Sequence, residues 1–274
     1  MTDPDLQAAE APPELNTNIA HPARVYDYWL GGKDNYPADR AAAEAVLAAN
    51  PAVRLTVREN RAFLRRVVRF LTGVGVRQFL DIGTGIPTSP NVHQVAQAVA
   101  PDARVVYVDN DPIVLGHARA LLAGSGTGAT TVIQADLREP DGILHHAKVR
   151  QVIDFDQPVG VLLVAILHHL TDEEDPGGVV ARLGDAVVPG SYVAISHGTA
   201  DINPQAAQKA AQRFAQARTA APYVARPRAR IEEFFEGLEL LEPGLVQPPS
   251  WRPDGPVTVD LGLVSFYAGL GRKP

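Results

Sequence analysis

The stretch FLDIGTGIPT, residues 79–88, decides the fold of this chain. Residues 78–82 are a short apolar run that is typical of a buried strand. The run closes on Gly83-Thr84-Gly85, and glycines let a backbone approach a ligand closely because they carry no side chain. The stretch therefore predicts a strand followed by a tight turn at the ligand-binding edge of an α/β sheet.

Strands and helices alternate after this stretch. We predict further strands over residues 104–108, 130–133, 159–167 and 191–196, and helices over 91–100, 111–124, 179–187, 204–218 and 231–235. Such alternation indicates βαβ units and a mostly parallel sheet. Two terminal runs, 240–246 and 261–270, can pair antiparallel at a sheet edge.

Residues 21–72 are predicted to be helical. Phe63, Leu64, Val67, Val68 and Leu71 recur at the helical period and give the third of three expected helices one apolar face. Residues 1–18 are polar and rich in proline, so we expect a flexible tail there. The expected organisation is a tail over 1–18, a helical cap over 19–72 and a ligand-binding domain over 73–274.

Composition excludes several classes of protein. The 274 residues carry a formal net charge of −6 and no cysteine, so disulfides, thiolate nucleophiles and iron–sulfur clusters are excluded. A nucleic-acid partner is not expected, because such partners need a large basic field. The paired histidines His145 and His146 lack nearby acids at metal-ligand spacing, so no metal is expected. No apolar run is long enough to span a membrane, and we expect a soluble, cytoplasmic protein.

Three acids follow three successive predicted strands: Asp81, Asp109 and Asp136. Ligands of open α/β sheets bind outside those strand ends. Asp109 lies 24 residues after Gly85, close to the roughly 20 at which dinucleotide folds place an acid on ribose hydroxyls. Asp136 and the Leu137 N–H suit an adenine edge. Each element alone is equally well explained as a turn or a helix cap, but the ordered set predicts an adenosine site.

The same segments resemble a known family. FLDIGTGIPT (79–88), VVYVDNDPIVL (105–115), VIQADLREP (132–140) and VGVLLVAILHHL (159–170) are similar to class I S-adenosylmethionine-dependent methyltransferases. HPARVYDYWLGGKDNYPADR (21–40) and RENRAFLRRVVRFL (58–71) resemble, more narrowly, the actinobacterial S-adenosyl methyltransferase family once described as a domain of unknown function. The resemblance covers residues 18–272.

The resemblance implies a Rossmann-like, seven-stranded, mostly parallel sheet of order 3-2-1-4-5-7-6. Helices would cover both faces, after an N-terminal helical extension. It implies S-adenosyl-L-methionine as cofactor. The expected binding residues on the sheet are Asp81, Gly83, Thr84, Gly85, Asp109, Asn110, Asp136 and Leu137. One departure is Ile86-Pro87-Thr88, where many class I enzymes have another glycine. The missing glycine also argues against a nicotinamide dehydrogenase.

The N-terminal segment offers a second group of candidates. Tyr28, Gly32 and Lys33 place an aromatic ring, a flexible glycine that ends the helix and a cation close together in the sequence. If this segment covers the open edge of the sheet, Lys33 or Arg61 can hold the cofactor carboxylate. The alternative is a helix that packs its aromatic rings into the core, with Lys33 in solvent.

His169 and His168 follow the fourth strand and are the candidate general bases, because histidine titrates near neutrality. The alternative is a structural pair, and His197 is a weaker candidate. We expect a methyltransferase acting in line on a small-molecule acceptor. A non-catalytic module that binds S-adenosylmethionine or S-adenosylhomocysteine stays open, because Leu167-His168-His169-Leu170 replaces a recognisable acceptor motif.

Overall fold

The computed structural model describes residues 16–122 and 130–274. In these residues one seven-stranded sheet has the order β3-β2-β1-β4-β5-β7-β6. Its strands are β1 (Gln78–Ile82), β2 (Arg104–Asp109), β3 (Thr130–Gln134), β4 (Gly160–Val164), β5 (Tyr192–Gly198), β6 (Glu239–Leu240) and β7 (Phe266–Arg272). Strands β1 to β5 pair in parallel, and β7 is antiparallel to β5 and β6. The predicted fold class and strand order are confirmed.

Helices precede the sheet and connect its strands. They are α1 (Pro22–Leu30), α2 (Pro37–Ala49), α3 (Val53–Gly73), α4 (Val92–Val99), α5 (Pro112–Leu122), α6 (Pro140–Leu144), α7 (Ala147–Val152), α8 (Pro176–Asp185), α9 (Pro204–Gln216) and α10 (Arg228–Glu232). Helices α1, α8 and α9 each begin with a capping side chain followed by proline. The cap accepts a backbone N–H and the proline presets the helical φ, so the sequence fixes these starts.

The sheet has a hydrophobic core on each face. Leu80 and Ile82 of β1 point into one core, and Phe79 points into the other. The predicted apolar face of α3, which includes Phe63 and Leu71, is buried in that second core. The third helix of the expected cap over residues 19–72 thus packs directly on the sheet.

Helices α1 and α2 form a smaller cluster with α9. Val25, Ala43 and Val46 pack with Phe214, and each of them is buried. The N-terminal segment is therefore joined both to the sheet, through α3, and to the helix that follows β5.

Some predicted boundaries were wrong. Strand β4 ends at Val164, where residues 159–167 were expected to be extended, because Ala165 has a φ of +59° and Leu167–His169 form a 3₁₀ turn. An apolar run shows burial but not where its hydrogen bonding stops. Strand β6 has two residues, and β7 begins at Phe266. Residues 1–15 of the expected tail, and the helix stop expected at Gly124, lie outside the described residues.

Across the described ranges, no helix combines the length and the apolar character needed to cross a membrane.

Candidate functional site

A cavity of about 380 Å³, here called the polar cavity, opens at the carboxyl ends of β1 to β4. This is the edge at which open α/β sheets bind ligands, and the volume is typical of small-molecule sites, roughly 300–1,000 Å³. Most of the predicted residues line it together: Asp81, Gly83, Thr84, Gly85, Asp109, Asn110, Asp136, Leu137, Arg61 and His169.

The turn after β1 requires its glycines. Gly83 and Gly85 have φ values of +74° and +67°, which residues with side chains rarely adopt. A Cβ on Gly83 would also lie 2.6 Å from the Ile166 side chain. The Gly83 N–H donates to the Val108 carbonyl oxygen at 2.8 Å, so the turn is anchored to β2.

Asp109 at the end of β2 fixes this turn from the other side. Its Oδ2 accepts the Gly85 N–H at 2.9 Å, and its Oδ1 accepts the Asp111 N–H at 3.0 Å. Burial raises the pKa of the Asp109 carboxyl. Because a carboxylate has about four lone-pair sites, the two amides leave acceptor capacity for the hydroxyls of a ligand.

Asp81 is a buried carboxyl that titrates near neutrality. Burial raises the pKa of Asp81 to about 7, the Asp109 charge adds to the rise, and the Arg61 guanidinium opposes it. Arg61 reaches the cavity from α3 and donates from Nη2 to the Thr88 carbonyl oxygen at 3.0 Å. An acid and a permanent cation therefore line the same cavity.

Asn60 adds an acceptor beside Arg61. Its side chain is 1% exposed, lines the polar cavity and donates from Nδ2 to the Tyr26 hydroxyl at 3.0 Å. The Asn60 Oδ1 is buried and has no hydrogen-bond partner within the described residues. An unpaired buried acceptor costs about 1–3 kcal/mol, so Asn60 is suited to a ligand that brings an N–H donor.

The third strand contributes a polar rim. Asp136 accepts the Asn110 amide at 3.0 Å and the Arg138 N–H at 2.9 Å. The Leu137 side chain between them is buried in the core. The rim therefore presents the oxygens of the Asp136 carboxylate, and the buried Leu137 side chain anchors the backbone at this point.

Helix α1 is fastened over the cavity by buried charges. The Arg24 Nε lies 3.4 Å from Asp111 Oδ2 and 3.5 Å from Asp39 Oδ1. His21 Nδ1 lies 3.3 Å from the same Asp111 oxygen, but it accepts the Ala23 N–H as the cap of α1, so the cation in this cluster is Arg24. Asp111 also caps α5 by accepting the Ile113 N–H at 2.9 Å. The acid that opens α5 thus ties the N-terminal helix to the loop after β2.

The structure does not bring Tyr28, Gly32 and Lys33 to this cavity. The Tyr28 hydroxyl hydrogen-bonds the Glu44 carboxylate, and Lys33 is exposed. Gly32 packs against Asp27, where a Cβ would meet the carboxylate at 1.9 Å. The reason is helical geometry: α1 turns the face that carries Pro22 and Tyr26 towards the cavity, and Tyr28 lies on another face.

The two candidate bases lie in different surroundings. His169 lines the polar cavity, and its Nδ1 is 2.7 Å from the Pro222 carbonyl oxygen. Nδ1 therefore carries the proton, and burial lowers the pKa of His169 to about 4. His168 is buried away from the polar cavity, and its Nδ1 accepts the Gly198 N–H at 3.2 Å. Burial, followed by the neighbouring His169, lowers the pKa of His168 well below its usual value.

His197 belongs to a buried network. Its Nε2 is 3.1 Å from the Arg226 guanidinium, and its Nδ1 is 2.7 Å from the Gly198 carbonyl oxygen. Burial lowers the pKa of His197 to about 3, so the ring stays neutral and structural. No group of three His, Asp or Glu side chains in the described parts of the chain has the geometry of a metal site.

Comparison with known proteins places the chain in a family. The family model described as S-adenosyl methyltransferase matches residues 8–274. The chain belongs to the S-adenosyl methyltransferase family. No curated protein matches it.

Two solved structures of actinobacterial proteins are similar to this family member over nearly its whole length. A DUF574 family protein from Streptomyces avermitilis MA-4680 is 46% identical, with a TM-score of 0.91, and the match covers 95% of this chain and 100% of that one. A candidate methyltransferase from Thermobifida fusca YX is 44% identical, with a TM-score of 0.88 and coverage of 97% and 99%.

The prediction missed several residues of this family member that line the cavity. The sequence around Asn60 predicts a polar, solvent-exposed face of α3, and no local sequence signal indicates that its side-chain oxygen is buried. His21 and Asp111 carry recognisable cap signals, each beside a proline, but their mutual contact depends on the folded chain.

Proposed function

We propose that this chain binds S-adenosyl-L-methionine in the polar cavity and transfers its methyl group to a small-molecule acceptor. One observation carries the proposal. The Asn60 Oδ1, which is buried and has no hydrogen-bond partner within the described residues, shares a cavity with Arg61, Asp81, the glycine turn and Asp109. A single ligand with an ammonium, a carboxylate and ribose hydroxyls satisfies all of these groups.

Each wall has a distinct role in this proposal. Asp81 and Asn60 accept from the ammonium, and Arg61 donates to the carboxylate. Asp109, with Asn110 beside it, accepts the ribose hydroxyls. Asp136 and the Leu137 N–H take the adenine edge, while Gly83, Thr84 and Gly85 allow close backbone approach.

The cofactor supplies an activated methyl group, so the hard chemistry is its own. The protein aligns the acceptor and excludes water, which supplies much of the rate enhancement. His169 presents a neutral ring, and a base of pKa about 4 is too weak to store the acceptor's proton at neutral pH. Its role is to accept a hydrogen bond from the acceptor and orient it.

Calorimetry tests the cofactor assignment. We expect S-adenosylmethionine to bind with one site per chain, and NAD to give no binding heat. Binding of NAD alone would contradict the proposal. Incubation with labelled S-adenosylmethionine and a metabolite extract then separates an enzyme from a binding module, since only an enzyme gives a labelled acceptor and S-adenosylhomocysteine.

A further inference from the structure

We propose that a second, apolar cavity beside the first holds the uncharged end of a hydroxyl-bearing methyl acceptor, with the hydroxyl directed to His169. We call it the acceptor pocket. The assignment of this cavity to a methyl acceptor rests on the proposed function, but the binding test below does not depend on it. The acceptor pocket measures about 60 Å³ and lies between α1, α2, α3 and α9, the 3₁₀ turn after β4, the residue after β5 and the start of β7.

The two cavities meet at a shared wall. Pro22, Tyr26 and His169 line both of them. Because the His169 Nδ1–H donates a hydrogen bond to the Pro222 carbonyl oxygen, the Nε2 of this neutral ring is the atom that can accept a hydrogen bond. A molecule seated in the acceptor pocket therefore meets an imidazole at the boundary with the proposed cofactor site.

The acceptor pocket is built for a neutral occupant. Among the described residues that line it, none is Asp, Glu, Lys or Arg. Its two histidines stay neutral, because burial lowers the pKa of both His168 and His169. Burying a charge without a partner is strongly unfavourable, so a carboxylate or an ammonium is rejected here.

The walls select apolar groups. Trp29, Phe214 and Phe266 are among them, and Phe214 stacks on the His169 ring with the centroids 6.0 Å apart. About 60 Å³ is less than the roughly 150 Å³ of an engineered cavity that holds benzene. One edge of an aromatic ring, or a short aliphatic group, therefore enters the acceptor pocket, and the rest of the molecule lies at the mouth.

Phenol is the probe for a test without cofactor. We expect it to quench the fluorescence of Trp29 saturably, and Trp29→Phe to lose that response. The charged counterparts 4-hydroxybenzoate and tyramine should bind at least about tenfold more weakly. Equal affinity of either charged compound, or the absence of saturable phenol binding, would overturn the proposal.

A filled pocket provides the matched control. Ala210 of α9 lines the acceptor pocket, whereas Ala215 of the same helix is exposed. Ala210→Phe should weaken phenol binding by about tenfold or more, and the milder Ala210→Leu should weaken it less. Ala215→Phe should leave it unchanged. Unchanged phenol affinity in both folded Ala210 variants would show that phenol does not bind in the acceptor pocket.

S-adenosylhomocysteine separates the two proposals. Its affinity should stay within about twofold of wild type in the Ala210 variants, and phenol should bind equally well in its presence. If S-adenosylhomocysteine fails to bind the wild type, the proposed function fails whatever phenol does. Competition between phenol and S-adenosylhomocysteine would contradict the separate acceptor pocket and would leave the proposed function standing.

Discussion

The polar cavity and the acceptor pocket share a wall but are lined by different kinds of side chain. The polar cavity is lined by carboxylates and guanidinium groups, including Asp81, Asp109, Asp111 and Arg61, whereas the described lining of the acceptor pocket has none. Loops after strands leave backbone N–H groups that stabilise carboxylates. Helices use most of their N–H groups internally, so a pocket walled largely by α1, α2, α3 and α9 has few donors for a buried anion.

Burial acts on both regions in the same direction, towards the neutral form of each group. It raises the pKa of Asp81 to about 7 and lowers the pKa of His169 to about 4. At neutral pH, Asp81 is therefore poised to respond to a ligand's charge, while His169 is committed to a neutral ring. The polar cavity is the region in which pH and charge changes should have effects.

Removing the Asp109 carboxylate should produce the largest loss. Asp109→Ala removes the proposed ribose acceptor and leaves the Gly85 and Asp111 N–H groups without their partner. We expect S-adenosylhomocysteine to bind more weakly by about 2–3 kcal/mol, roughly 30- to 150-fold. Calorimetry measures the change, and Asp102→Ala, an exposed acid beside β2, is the control. Unchanged affinity in the folded variant would remove the ribose assignment.

Arg61 should have the next largest effect. Arg61→Met keeps the length of the side chain but removes the only proposed donor to the ligand carboxylate, so binding of S-adenosylhomocysteine should weaken by about 1.5–2 kcal/mol. Arg58→Met, an exposed arginine one turn earlier on α3, should have no effect. Similar losses in both variants would show a general charge effect rather than a contact in the polar cavity.

The Asp81 carboxyl should make cofactor binding depend on pH. A ligand ammonium favours ionised Asp81, whose pKa in the free protein is about 7. Binding should therefore release a proton below pH 7, and affinity should fall by up to about tenfold from pH 8 to pH 6. Calorimetry in buffers of different ionisation enthalpy counts the protons. Asp81→Asn should flatten the profile; proton uptake by the wild type would contradict the assignment.

The two regions also differ in how far the sequence predicts them. Asp81, Asp109 and Asp136 could be predicted as a group, because strand ends and glycine turns have local signals and parallel strands end at one edge. The strand order came from the family resemblance. The burial of Asn60 Oδ1 and the contact between Arg24 and Asp111 could not be predicted, because both depend on where α1 and α3 pack.

The acceptor pocket had almost no sequence signal. His168 and His169 were visible as a pair, but the end of β4 at Val164 and the positive φ of Ala165 direct only His169 to the boundary of the two cavities. The sequence gives no sign that Phe214 and Trp29 are anything other than ordinary core residues of two helices. A pocket made from the faces of separate helices shows its composition only after those helices have packed.

Lys33 gives the smallest expected effect and tests the edge of the polar cavity. The sequence offered Lys33 and Arg61 as equal candidates for the ligand carboxylate, but Lys33 is exposed and does not line the cavity. Lys33→Ala should change the affinity for S-adenosylhomocysteine by less than about twofold, since a solvated charge outside a site is largely screened. Calorimetry should show any such difference shrinking from low to high salt, because added salt shortens the range of the Lys33 charge. A loss comparable to that of Arg61→Met would mean that Lys33 contacts the bound ligand, which requires α1 and the loop after it to close over that ligand. In that case the ligand itself would form part of the wall between the polar cavity and the acceptor pocket.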